Sequence, residues 1–326
     1  MSIFTTTSVF AEDKPPSAPE SAIAAIGVAL PPLSDQARQK LTARANAGDL
    51  DAMYELAHHA LRSGDGAMGG PMYYWGSWNN PKESEHWWRK AAALGDPKAM
   101  ILLGHLYAEP WGVPQDIKEA AHWFKQAADL NNLEAVQALV DLYIGAWSDE
   151  RDDVEANRWL MRAVSMGDRH AMLLLGLRYD VGWGIREDPA EAARWYEKVI
   201  AGGWERNQFG DLHIALNNLG ALYEEGRGAP KDESKAATLY GRAAHTWSAA
   251  PYNLAVLCES GRGVQQDRVA AVWLYREAAI RDMPEAIAAL QRLGFKVPTS
   301  AKEQNDEAGA LLAHDKEKRT KTACDP

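Results

Sequence analysis

The chain has 326 residues, a formal net charge of −10 and a pI near 5.4. That balance, with no cluster of Lys and Arg in the sequence, speaks against nucleic-acid binding, which calls for a basic face. No apolar run reaches the roughly 18 residues of a membrane-spanning helix, so no integral membrane segment is expected.

In chain order, Ile3 to Ala11 has the look of the end of a signal peptide with a cut after Ala11, but it is short, Thr-rich and lacks a basic first region. A periplasmic or secreted location and a cytoplasmic one both stay open. Within residues 1–33, the part after Ala11 reads as a Pro/Ala/Ser-rich linker. Ser34 to Ala47 reads as a helix with Ser34 as N-cap and Gly48 as its stop. It has the pattern of a second helix without its first, which is how the end of a repeat array is closed.

From 49 to 282 one pattern recurs. Taking Gly104 as reference, the same slot falls at Ala57, Val140, Gly176, Gly220 and Ala255, and the steps from Gly104 onward are 36, 36, 44 and 35 residues. Twelve residues after the slot stands Asp116, Asp152, Asp188, Asp232 or Asp267. Nineteen or twenty after it stands an aromatic position: Trp123-Phe124, Trp159, Trp195-Tyr196, Tyr240, Tyr275. Apolar and small residues spaced at three and four make two amphipathic helices per copy, and a hairpin of that kind needs neighbours to cover its apolar face. The copies run over residues 49–95, 96–131, 132–167, 168–203, 212–246 and 247–282, the third being the least regular. Residues 284–293 read as a lone first helix closing the far end. Thr299 to Pro326 reads as a charged, disordered tail. The Asp positions, and Asn80-Pro81 with Glu83, are helix N-caps by pattern, not catalytic carboxylates.

The pattern A-x-x-x-L-G-x-x-Y-x-x-G-x-G-V-x-x-D, followed by paired aromatic and paired Ala positions, resembles the Sel1-like repeat. It is clearest at Ala215 to Ala244 and at Gly261-Arg262-Gly263-Val264. The resemblance covers about residues 48–295. It implies an all-α fold: an α/α superhelical solenoid, related to the tetratricopeptide repeat, with about six helix-turn-helix repeats and half-repeat caps over residues 34–298. It further implies a bacterial adaptor that is not an enzyme and that binds a protein or peptide. Two other readings stay open: an immunity or regulatory partner of a secreted bacterial effector, and a cell-wall or β-lactam hydrolase. No serine or metal constellation supports the last. The partner's identity and the oligomeric state are not legible.

By analogy with tetratricopeptide-like arrays, positions six before, three before, one after and four after the reference slot face a concave groove. In the first three repeats these include Tyr54, His58, Ile101, His105, Gln137 and Asp141. In the last three they include His170, Asp180, Asn217, Glu224, Tyr252 and Glu259. Such a groove is mixed with an acidic lean and suits a partner carrying apolar side chains and some positive charge. His58 and His105, stacked in consecutive repeats, make a candidate pH-sensitive pair. A second candidate is the insertion at residues 66–79, where Tyr73, Tyr74, Trp75 and Trp78 sit among glycines. Such rings supply large contact area at low entropic cost. No cofactor or metal is expected. Glu119-x-x-His122 has di-iron spacing, but its second copy is missing. Of the two cysteines, Cys258 takes the slot of Tyr107, Tyr143, Tyr179 and Tyr223 and reads as a small buried filler; Cys324 lies in the tail.

Overall fold

The computed structural model describes residues 33–62, 80–109, 113–145, 151–202, 209–244 and 249–298. Among these residues there are fourteen helices and no strand. The chain divides into two compact units, one reaching to Asp168 and one starting at Arg169. The first holds α1 (Asp35–Asn46) and three hairpins: α2 (Leu50–Arg62) with α3 (Pro81–Ala93), α4 (Pro97–Ala108) with α5 (Ile117–Asp129), and α6 (Leu133–Ile144) with α7 (Asp153–Ser165). The second holds α8 (Arg169–Val181) with α9 (Pro189–Ala201), α10 (Phe209–Glu225) with α11 (Glu233–Ala243), α12 (Ala250–Ser260) with α13 (Arg268–Ala279), and then α14 (Pro284–Leu293) alone. Within each unit every helix packs on the one before it and the one after it.

The second helices start where the Asp residues stand because these carboxylates take up backbone N–H groups that have no partner inside the helix. Asp116 accepts from Lys118 and Glu119 at 3.0 Å, Asp152 from Val154 and Glu155, Asp188 from Ala190 and Glu191. Asp232 and Asp267 each take one such donor. The backbone N–H of the cap is engaged too. It donates to the carbonyl three residues past the slot: Asp116 to Tyr107, Asp188 to Tyr179, Asp232 to Tyr223, Asp267 to Cys258. Each hairpin is therefore tied across its turn by main chain. The glutamates three residues after the caps behave differently from a capping box. Glu119 accepts from Trp123 and Arg89, and Glu191 from Arg194. Glu83 accepts from the side-chain amide of Asn80, because the Asn80 N–H is already donated to Ala60.

The reference glycines are small because an aromatic ring lies against them. A Cβ on Gly104 would stand 2.3 Å from the Phe124 ring, and one on Gly176 or Gly220 2.7 Å from Tyr196 or Tyr240. The second glycine of the inter-helix turn serves a different contact. Gly228 and Gly263 have φ near +69° and +67°, and a Cβ there would fall 2.3 and 2.2 Å from the backbone at Pro189 and Glu233. Each turn thus rests on the first turn of the preceding repeat's second helix, at a distance only glycine allows.

One expectation is overturned. Cys258 is fully buried as read, but it is disulfide-bonded rather than a filler thiol; Cys324 lies outside the described residues.

Candidate functional site

The faces offered by the first helices of the repeats are the candidate site, and seven of the residues read from the sequence hold neighbouring repeats together. Three residues before the slot, Tyr54 of α2 donates its hydroxyl to Asp96, the cap of the next first helix, and Lys98 lies 4.8 Å from the centre of its ring. Burial, then the Asp96 carboxylate, push the Tyr54 hydroxyl well above the usual phenol range. Gln137 of α6 donates to Asp168 at 2.9 Å. Asn217 of α10 accepts from Asn253 of α12 at 3.1 Å and donates to Asn218 at 3.2 Å. His170 stands 3.0 Å from Asp211 of α10.

Four residues after the slot, the second unit carries a repeated ionic rung. Asp180 lies 3.0 Å from the Arg227 guanidinium and accepts from the Tyr196 hydroxyl at 3.4 Å. Glu224 takes Arg262 at 2.8 Å and Tyr240 at 2.9 Å. Glu259 takes Arg292 at 2.7 Å and Tyr275 at 2.8 Å. In each rung the tyrosine comes from the same hairpin and the arginine from the next element. Arg227 and Arg262 sit in the inter-helix turns, while Arg292 comes from α14, which supplies the cation that a further repeat would have brought. Burial pushes the Asp180 carboxyl up despite Arg227, whereas the Arg292 hydrogen bond holds Glu259 low. These arginines were not singled out from the sequence. The signal was present in Arg227 and Arg262, each inside a G-R-G turn following a repeat with an acid four past its slot.

Two residues contradict their expected place. Ile101 and His105 do not line an open face: they are 3% and 8% exposed. The His105 ring packs edge-on against Phe124 at 5.1 Å, and burial pushes its pKa down to about 4. The pairing of His58 with His105 as two exposed groove histidines is therefore corrected; His58 itself is half-buried. In the second unit the expected acidic lean is offset, because Asp180, Glu224 and Glu259 each already face an arginine. Asp141 is half-buried. Tyr73, Tyr74, Trp75 and Trp78 lie outside the described residues.

What stays open in the second unit is a strip on α10 and α12. Ile214, Ala221, Tyr252 and Val256 are half-buried, with the Asn217–Asn253 amide pair between them. The Tyr252 ring leans on Tyr275 at 5.7 Å. Elsewhere, a shallow cavity of about 300 Å³ in the first unit is lined by Ala128, Asp129, Glu155, Arg158, Trp159 and Arg162. Its arginines are engaged with Glu155 and Asn131. Among the described residues no helix is long and apolar enough to cross a membrane.

This architecture of stacked helix hairpins with capped second helices and glycine turns is that of a repeat protein of the Sel1 kind. The Sel1 repeat profile matches residues 50–96, 97–132, 143–168, 169–203, 213–245 and 248–282. The chain belongs to the Sel1 repeat family. The third match is the shortest, and it falls in the copy that departs most from the pattern. Among solved structures, the chain is similar to c5321, a protective antigen of uropathogenic Escherichia coli with an SLR fold (24% identity, TM-score 0.59, covering 86% of this chain and 57% of that one). It is also similar to a Sel1 repeat protein from Oxalobacter formigenes (24% identity, TM-score 0.56, 88% and 89% covered). This chain thus spans little more than half the length of the E. coli protein. A looser likeness is to immunity protein Pa5087 of Pseudomonas aeruginosa, at 22% identity and a TM-score of 0.34, covering 78% and 84%. No curated protein matches the chain. Sel1 repeats generally form non-enzymatic folds that mediate protein–protein interaction.

Proposed function

We propose that this protein is a non-enzymatic binding scaffold that takes an extended segment of a protein partner on the first-helix faces of its repeats. The aromatic insertion at residues 66–79 is proposed as a second contact. The observation that carries the reading is the strip at Ile214, Ala221, Tyr252 and Val256. It leaves apolar and aromatic surface half-exposed beside a pair of carboxamides, while the acids at its edge are neutralised from within. A surface of that make-up favours a segment with apolar side chains whose backbone amides meet Asn217 and Asn253, and it does not require a cationic partner. Tyr252 provides the large ring that such interfaces use as an anchor.

The test is a photo-crosslinking amino acid placed at position 252 or 221, with position 161, exposed on α7, as control. The partner captured at 252 and 221 but not at 161 is then titrated against Ala221→Arg. Loss of affinity by tenfold or more, at an unchanged melting temperature, is expected. Unchanged affinity would exclude this strip. Trp75→Ala and Trp78→Ala report separately on the insertion, with a loss of roughly 2 kcal/mol expected for a buried aromatic anchor.

A further inference from the structure

A row of hydrogen-bonded side chains in the second unit runs from the strip on α10 and α12 to the first ionic rung. The Asn253 Nδ2–H donates to Asn217 Oδ1 at 3.1 Å, and the Asn217 Nδ2–H donates to Asn218 Oδ1 at 3.2 Å. The Asn218 Nδ2–H donates to the Tyr196 hydroxyl oxygen at 3.5 Å, and that hydroxyl donates to Asp180 at 3.4 Å. Arg227 lies 3.0 Å from the other carboxylate oxygen of Asp180. We propose that Asp180 fixes the direction of this row, so that the strip presents the Asn253 carbonyl oxygen and selects a partner group with an N–H to give it. The proposal rests on the binding role given above to that strip.

The direction follows from what each group can do. An ionised carboxylate only accepts, a phenol has one proton, and a carboxamide accepts at one end and donates at the other. Arg227 holds the charge on Asp180, so the Tyr196 proton is directed at the carboxylate. The Tyr196 oxygen is then left to accept, which turns Asn218 Nδ2 toward it and Asn218 Oδ1 toward Asn217. The same constraint passes to Asn217 and on to Asn253, whose Nδ2 faces Asn217 and whose Oδ1 is turned away from it. It is such a network, and not shape, that tells the two ends of a carboxamide apart. Tyr196 has no exposed surface, and hydrogen bonds linked in a poorly solvated place polarise one another toward a common direction. Among the described residues Asn253 Oδ1 meets no donor, and Asn253 is half-buried on the strip, next to Tyr252 in the chain. A backbone N–H of an apolar segment fits that oxygen, whereas a carbonyl or carboxylate would set oxygen against oxygen.

One isosteric change at the far end should turn the row over. In Asp180→Asn the new amide oxygen stays toward Arg227, so the amide nitrogen faces Tyr196. The Tyr196 proton then goes to Asn218, each carboxamide flips in turn, and Asn253 presents its nitrogen in place of its oxygen.

The experiment uses the full chain, Asp180→Asn and Tyr196→Phe. The probes are the blocked peptide acetyl-Ser-Leu-Val-Leu-Ser-amide and the same peptide with its three central nitrogens methylated. Binding is titrated by NMR on the side-chain amide signals of Asn217 and Asn253. The parent is expected to bind the unmethylated peptide about tenfold more tightly than the methylated one, because methylation leaves a half-buried acceptor unpaired. Asp180→Asn is expected to lose that preference. Tyr196→Phe cuts the row by removing one hydroxyl and should shrink it, and this variant carries the test even where loss of the Asp180 charge unsettles the fold. Comparing proteins with the same two probes cancels any effect of methylation on the peptide itself. Equal affinity of the parent for both peptides, or one preference shared by all three proteins, would overturn the proposal and leave the binding role standing. Failure of both peptides to bind the parent would overturn the binding role and the proposal with it.

Discussion

A single methyl group decides how closely the two helices of a hairpin approach. Gly104 and Phe124 occupy two positions that elsewhere hold Val140 with Leu160, so bulk on one helix is traded against bulk on the other. Gly104→Val forces a branched side chain into the space of the Phe124 ring, whose edge would lie 2.3 Å from its Cβ. Overpacking of a well-filled core costs about 1–3 kcal/mol, and the β-branched residue adds a small propensity loss. Adding Phe124→Leu recreates the pair found one repeat later. We expect it to recover at least half of the loss, read as a favourable coupling in a denaturant double-mutant cycle. Additive losses would show that the two positions do not share the space.

At the scale of the element, the ionic rungs explain why successive repeats of the second unit stay in register. Each joins a tyrosine, an acid and an arginine drawn from two neighbouring repeats. The first unit has Leu61, Ala108 and Ile144 at the acid position and Phe124 and Leu160 at two of the tyrosine positions, so its rungs are apolar. The Arg262 side chain is 39% exposed and that of Glu224 21%, which places the ion pair near the top of the surface range, about 1 kcal/mol. Tyr240 is buried, and its hydroxyl donates to the same carboxylate. Glu224→Ala therefore leaves a buried hydroxyl unpaired and Arg262 with only Glu233 and Ser260, and should cost about 2–3 kcal/mol. Arg262→Ala should cost about 1 kcal/mol and Tyr240→Phe about as much. Equal, small effects of all three in urea melts would mean that the rung is decoration on a helix interface set by packing alone.

For the whole molecule, the charge state sets how stability responds to acid. His105 is neutral in the folded protein down to about pH 4, against 6.5 when unfolded. Between those values the unfolded state binds more protons, so the stability present above pH 6.5 is lost as pH falls toward 4. Glu109, the C-cap residue of the same helix, is the carboxylate facing it at 3.8 Å. Glu259, held low by Arg292, adds a second loss that begins only below its ordinary value of 4.5. A melting temperature followed from pH 7 to 4 should thus decline through pH 6 and 5, with Asp180, whose carboxyl burial pushes up, acting in the opposite sense as it takes up its proton. His105→Phe should flatten that part of the curve while leaving the fall below 4.5 in place. A parent curve already flat between 6.5 and 5 would show that the buried imidazole does not govern acid sensitivity.

The hairpins, their caps and their glycine turns were legible in the amino-acid sequence because each depends on residues within a few positions of one another. An Asp that caps a helix needs only the next three N–H groups, and the Gly-aromatic spacing repeats with the hairpin. The candidate site was less legible, because a side chain's availability depends on partners 30 to 50 residues away. Asp180, Glu224 and Glu259 were correctly placed four residues past their slots. That each meets an arginine from the next element is decided by how one repeat stacks on another. Ile101 and His105 hold positions that analogy assigns to an open face, yet tertiary packing buries both, and Phe124 covers the imidazole. The Cys258 thiol likewise reads as filler from its slot alone, since a disulfide depends on where the chain returns in space and not on its local sequence.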